Sequence, residues 1–387
     1  MSKDLYVYSG IEPGKKGAGN FVLFFLNKLK NNNIHFKLLY NQTPDGKFVK
    51  LVKKLGLITF FKTFFYKIIQ IFPKSKIENV EVILFHPQSI GLDIVTNIIK
   101  KNKVYFYVLD NFLFCKKSYN YIQGNGPCIS CLKDRNAHIE YKCNFFPNNY
   151  GQDQYDNFIY EIKKNLKNIS FLTQNDNQSK LLVKNFGKDI IINEVGMLID
   201  LPKIKTKAST IYKNYDFLYH NTLTEAKGLL YFIELASYLM DYSFVIPYSK
   251  QQVKKILPEL KEYNNLEFLS VTWNTGLLHI LENCKIVINP SLWSSPVEGA
   301  LLKSIFYNGT VAVVDIEYSF QQELPNNVVI KLTKDIEESK EMLLDIINSK
   351  QKISQIKKIS KTWYNEYIER SNHSLDLFIL NEFEKKI

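Results

Sequence analysis

The residues best suited to chemistry fall into four groups. Lys227-Gly228 closes the run D-F-L-Y-H-N-T-L-T-E-A-K-G. A lysine at a predicted helix start opposes the helix dipole, and an anionic ligand would relieve that conflict. Asn289-Pro290-Ser291 opens N-P-S-L-W-S-S-P-V-E-G-A-L-L-K-S-I-F-Y-N-G-T-V-A-V-V-D, where an apolar run stops at a proline and a polar corner precedes an apolar helix. The helix start at Glu298-Gly299 offers free N–H groups and a positive dipole end, which suit a diphosphate. A third group is G-I-E-P-G-K-K-G-A-G after the first apolar run. Its glycines let backbone approach a ligand closely, and Lys15 and Lys16 add charge. The dinucleotide fingerprint G-x-G-x-x-G is absent, so the loop alone equally fits a plain turn.

The fourth group is Cys115, Cys128, Cys131 and Cys143, spaced C-x12-C-x2-C-x11-C. A C-x2-C pair lets two thiolates reach one ion, and two further cysteines complete a tetrahedral set. The intervening Tyr119, Asn120, Tyr121, Gly124, Gly126 and Pro127 cannot build a core, so a structural zinc would supply folding energy. Free thiols, an iron–sulfur cluster, or His138 in place of one cysteine are the competing readings.

These groups need a frame. Leu5–Ser9, His35–Tyr40, Val80–Phe85, Val104–Leu109 and Ile169–Thr173 are short apolar runs that read as buried parallel strands. A second set comprises Asp216–Tyr219, Phe244–Pro247, Leu266–Phe268, Lys285–Asn289 and Val311–Asp315, with a helix from about Gly228 to Leu239. Strand–helix alternation in both halves predicts two α/β doubly wound domains with a cleft between them, over 1–198 and 199–362. The cysteine insert occupies 110–150, and the join falls at Met197–Lys213. A helix over 363–387 is expected to pack back on the first domain.

Ligands of such sheets bind beyond the carboxyl ends of the strands. His86 follows one apolar run, and Asp110-Asn111 follows the next. Asp110, Asn111, Tyr119 and Asn120 are therefore assigned to the acceptor side of the cleft. A lone histidine is commonly a satisfied structural residue, which is the competing reading of His86.

The stretch from Asn289 to Asp315 resembles the signature of glycosyltransferase family 4, within the two-domain GT-B architecture. Ser304 to Val313 fits the signature's helix, glycine (Gly309) and strand. Asp216 to Gly228 is similar to the family's second donor motif, and Gly17, Ala18 and Gly19 look like its glycine-rich first loop. The resemblance implies a retaining enzyme that moves a sugar from a nucleoside diphosphate sugar to a growing bacterial surface glycan, possibly lipid-linked. It assigns catalytic roles to His86, Glu298 and Lys227. Donor contacts fall on Gly17, Ala18, Gly19, Asn221, Thr222, Lys227, Pro296, Val297, Glu298, Gly299 and Lys303. The family's paired glutamates fall on Pro296 and Ser304, and its arginine on Thr222. These departures motivate an alternative, a binding or scaffold subunit with a decayed site.

No D-x-D occurs in the chain, which agrees with a donor site that uses no catalytic metal. The 387 residues carry a formal charge of +12. Residues 47–76 hold eight lysines, no Asp or Glu, and Phe61, Phe64, Phe65, Ile68, Ile69 and Phe72 on one helical face. Such a helix fits an anionic membrane interface, or else a core with a solvated basic face. The cysteines are not embedded in a basic helix, so nucleic acid is not an expected partner. With no signal peptide or spanning segment visible, a cytoplasmic protein, peripheral on the inner membrane face, is expected.

Overall fold

A computed structural model describes residues 4–14, 17–40, 77–123, 126–145, 150–201 and 212–384. The basic aromatic segment 47–76, Lys15, Lys16 and most of the expected join lie outside the described residues.

The first lobe is a six-stranded, all-parallel sheet. Its strands are β1 (Leu5–Ser9), β2 (Lys37–Tyr40), β3 (Glu81–Phe85), β4 (Lys103–Tyr107), β7 (Ile169–Thr173) and β8 (Ile191–Glu194). Their order is β2-β1-β3-β4-β7-β8. The strands β5 (Tyr121–Ile122) and β6 (Gly126–Pro127) form a small separate ribbon within the cysteine insert. The second sheet has β9 (Phe217–Tyr219), β10 (Phe244–Ile246), β11 (Leu266–Phe268), β12 (Ile286–Asn289), β13 (Val311–Val314) and β14 (Ile330–Leu332). It is also parallel, in the order β11-β10-β9-β12-β13-β14.

The interior strands form because their side chains are apolar on both faces. β3, β7, β12 and β13 are buried at every position, as parallel strands covered by helices on both sides must be. The two edge strands β8 and β14 were not expected from the sequence. Ile191 is exposed and Lys331 half-exposed, so neither strand reads as a continuous apolar run.

Strand order reverses between β1 and β3 in the first sheet, and between β9 and β12 in the second. At such switch points neighbouring crossovers run to opposite faces and leave a crevice beyond the strand ends. The loops entering these crevices are Gly10–Gly14 and His86 in one lobe, and His220–Lys227 and Pro290–Glu298 in the other.

One 34-residue helix, Lys350–Phe383, joins the lobes. Its first part packs on the second lobe, where Ser360 Oγ donates to Val328 O at 2.6 Å. Its last part lies on the first lobe. There Lys28 pairs with Asp376 at 2.7 Å, and Lys103 and Tyr105 both reach Glu382. A core running from Phe21, Phe25 and Phe85 through Tyr364, Phe378 and Ile379 to Leu301 and Val313 therefore belongs to both lobes. Among the described residues no helix is long and apolar enough to cross a membrane.

Candidate functional site

The corner begins where β12 ends. Asn289 is fully buried, and its amide donates to His220 O at the end of β9, tying the two strand ends together. Gly228 then has to be glycine: its φ is +72°, and a Cβ there would stand 1.8 Å from Pro290 O. This close approach brings Lys227 onto the Pro290–Glu298 loop.

Glu298 is the hub. Its side chain is 7% exposed and accepts four kinds of donor: Lys227 Nζ, Asn221 Nδ2 at 2.9 Å, Ser291 Oγ at 2.8 Å and Trp293 Nε1 at 3.1 Å. Burial would raise its pKa, but the Lys227 ammonium and the neutral donors outweigh it and hold the carboxyl below its ordinary value. Lys227 is equally buried, and its charge lies between two aromatic faces, 4.6 Å from the Trp293 ring centroid and 5.3 Å from that of Tyr119. The sequence placed these two residues in one site in separate roles; the structure pairs them with each other.

The roof of the corner comes from the other lobe. Asn111 Nδ2 donates to Ser294 O at 2.7 Å, Asn120 Nδ2 to Ser294 Oγ at 3.0 Å, and Ser294 N–H to Asn120 Oδ1 at 3.0 Å. Tyr119 meets Trp293 edge-on with centroids 4.5 Å apart. Asn111, Tyr119 and Asn120, expected on the acceptor side, are thus brought onto the Lys227–Glu298 corner itself. Burial, followed by the charges of Asp110 and Glu298, pushes the Tyr119 hydroxyl up to about 12.

Behind the corner, Ser304 fills the place of the second family glutamate. It shares a 2.7 Å hydrogen bond with His220 Nδ1 and donates to Ala300 O. Burial, and secondarily Lys303, lowers His220 to about 3, so this imidazole is neutral. Lys303 is half-buried over Trp273, 5.5 Å from the centroid. Thr222 is exposed and offers no charge. Pro296 and Val297 are buried, and Gly299 starts the helix Gly299–Tyr307 beside Ile199 and Met197.

His86 stands at the end of β3 in a left-handed conformation, φ 53° and ψ 65°. Its Nδ1 is buried without a hydrogen-bond partner among the described residues, and Nε2 lies 4.0 Å from Asp110 Oδ2. Burial lowers His86 to about 4 and raises Asp110 to about 6, although Phe112 N–H and Gln88 both donate to that carboxylate. This pair forms a second polar group, and no hydrogen bond or ion pair between described residues joins it directly to Glu298. Gly17, Ala18 and Gly19 start the helix Ala18–Asn31, with contacts inside their own loop; a Cβ on Gly19 would meet Glu12 O at 2.5 Å.

Ser291, Trp293 and Ser294 were quoted in the motif but assigned no role from sequence. Their signal was present: polar groups directly after a fully buried strand, at the end where such sheets bind ligands.

No family model matches the chain, and no curated protein matches it. Solved structures do. Sucrose-phosphate synthase from Thermosynechococcus elongatus superposes with a TM-score of 0.61 at 9% identity, covering 98% of each chain. HepE from Anabaena, in complex with UDP-glucose, gives 0.59 at 11% identity over 98% of this chain and 100% of that one. A glycosyltransferase from Rickettsia africae gives 0.55 at 12% identity over 99% and 100%. Two facing parallel-sheet lobes in these strand orders, matched end to end by such structures, make the fold GT-B.

Proposed function

We infer that the chain is a glycosyltransferase whose donor is a nucleoside diphosphate sugar. The observation that supports this best is the meeting of Lys227, Glu298 and the start of helix Gly299–Tyr307 at the strand-order reversal of the second sheet. A cation and unpaired helix N–H groups at such a point suit a pyrophosphate leaving group. HepE, whose fold is similar, has been solved in complex with UDP and with UDP-glucose. In the proposed reaction the diphosphate takes over Lys227 from Glu298, and the freed carboxylate accepts hydroxyls of the sugar or ribose. Tyr119 swings off the corner to admit the donor. His86, neutral at physiological pH, faces the reacting carbon and donates or accepts only hydrogen bonds. Retention of anomeric configuration, catalysis without a metal, a glycan or lipid-linked acceptor, and contact of segment 47–76 with an anionic membrane complete the proposal.

A second reading is favoured by the same corner. Lys227 already has a counter-ion, and Tyr119 covers it, as expected of a scaffold subunit that binds no donor. A thermal-shift series with UDP-, GDP-, ADP- and CMP-sugars separates the two. A ligand at 100 times its dissociation constant adds about 2.7 kcal/mol, so one nucleotide class should raise the melting temperature. No shift with any of them, together with no hydrolysis and no transfer, would leave the scaffold reading.

A further inference from the structure

We propose that the insert between β4 and β7 is an autoinhibitory strap: Asn111 and Asn120 clamp Ser294 and so seat the Tyr119 ring on the corner, which a nucleoside diphosphate must clear before it binds. The proposal rests on the donor-site reading above and concerns the regulation of that site. The clamp is built from buried side chains. Asn111, Asn120 and Ser294 are 1%, 0% and 1% exposed. Asn111 Nδ2 bridges Asn120 Oδ1 at 2.8 Å and Ser294 O at 2.7 Å. Asn120 turns both ends of its amide to Ser294: Nδ2 donates to Ser294 Oγ at 3.0 Å, and Oδ1 accepts from Ser294 N–H at 3.0 Å. Ser294 Oγ donates in turn to Glu317 O at 2.7 Å. Each bond satisfies a group that would otherwise be buried unpaired.

The ring sits where the donor would. Tyr119 directly precedes Asn120; its centroid is 4.5 Å from that of Trp293 and 5.3 Å from Lys227 Nζ. Lys227 is the group assigned to the diphosphate. A cation over a ring face gains less than one hydrogen-bonded to a phosphate oxygen, so an arriving diphosphate competes for Lys227 on favourable terms. The strap keeps its shape through backbone bonds. Asn111 N–H donates to Ser118 O at 3.1 Å, Cys115 N–H to Asn111 O at 2.8 Å, and Cys128 N–H to Asn120 O at 2.7 Å. Among the described residues no three His, Cys, Asp or Glu side chains are placed to hold a metal. Ser118, the neighbour of Tyr119, has a φ of +62°, a left-handed backbone that serine adopts only at a cost. Release of Ser294 lets that residue relax.

The lobes do not depend on the strap to stay together. At a separate contact Asn175 Nδ2 donates to Glu323 Oε1 at 2.7 Å, and Asn177 Nδ2 donates to Ser319 O at 2.8 Å. The helix Lys350–Phe383 adds the shared core. The strap therefore opens as a local event, with the two sheets still joined.

The test measures by calorimetry the affinity of the full chain for UDP, GDP and ADP, in wild type, Tyr119→Ala, Asn120→Ala and Asn175→Ala. With the open strap populated at about a tenth, Tyr119→Ala and Asn120→Ala should each bind one of these nucleotides about tenfold more tightly than wild type. Tyr119→Ala leaves the asparagine–serine bonds in place, so it still reads out the ring if Asn120→Ala folds poorly. Asn175→Ala cuts the separate lobe contact and should bind as wild type does; equal tightening there assigns the effect to lobe opening and overturns the strap. In wild type the bound nucleotide should raise amide exchange across Asn111–Asn120, and unchanged or lowered exchange overturns the strap. Unchanged or weaker binding by both strap variants also overturns it, and leaves the donor reading standing. No binding of any nucleotide by any of the four proteins overturns the donor reading, and the strap with it.

Discussion

At the residue scale, the pairing of Lys227 with Glu298 makes any single substitution there ambiguous. Lys227→Ala leaves a carboxylate buried among Ser291, Asn221 and Trp293 without its counter-charge, which should cost about 3–5 kcal/mol of stability. Lost donor binding in that variant would then reflect both effects. Lys227→Met with Glu298→Leu should recover most of the stability in urea titration while still abolishing any nucleotide-induced shift. If the double variant retains the shift, the diphosphate binds elsewhere. The histidines give a second prediction. His86 titrates near 4 in the fold against 6.5 when unfolded, so its contribution is fully present above 6.5 and is lost as pH falls toward 4. The loss amounts to roughly 3 kcal/mol. Asp110 runs the other way: its folded value near 6 lies above the unfolded one, so stability present below about 4 is lost as pH rises through 6. His86→Asn should flatten the acid side of the urea-midpoint profile, and Asp110→Asn the side toward neutrality; profiles unchanged in both variants would show that neither group is desolvated.

At the element scale, the tightest joint is between the loop ending at Gly228 and Pro290. Gly228→Ala combines a left-handed backbone with a collision against a carbonyl oxygen. It should destabilise by at least about 2 kcal/mol and detach Lys227 from Glu298. Gly17→Ala, also at positive φ but with nothing near its Cβ, should meet only the backbone part of that cost; equal losses at both sites would contradict the close-approach argument. This joint also marks what the sequence could convey. Interior strands were legible because burial on both faces leaves uninterrupted apolar runs such as Ile286–Ile288. The helix after Glu298 was legible because proline, polar corner and glycine bracket it. The partners within the corner were not, because Lys227 and Glu298 stand 71 residues apart and no periodicity links them. Nor could spacing reveal that Tyr119 and Asn120, in an insert of the other lobe, reach Trp293 and Ser294.

At the scale of the whole molecule, the lobes share buried residues through the helix Lys350–Phe383. Ending the chain after Arg370 would remove Leu375, Phe378, Ile379 and Phe383 from the first lobe. At about 1.5–3 kcal/mol for each buried side chain, the loss should exceed about 5 kcal/mol. Calorimetry should then resolve two transitions where the full chain shows one. A truncated protein that still melts as a single unit would mean that contacts such as Asn175–Glu323 and Asn177–Ser319 suffice to couple the lobes.

That helix is about 51 Å long at 1.5 Å per residue. Near the crossing, Tyr367 donates its hydroxyl proton to Met197 O at 3.0 Å. An axle common to both halves permits rotation about its length far more readily than it permits the halves to draw apart. Lifting Tyr119 from Trp293 should therefore arrive as torsion, felt at Glu382 on the far rim of the first sheet.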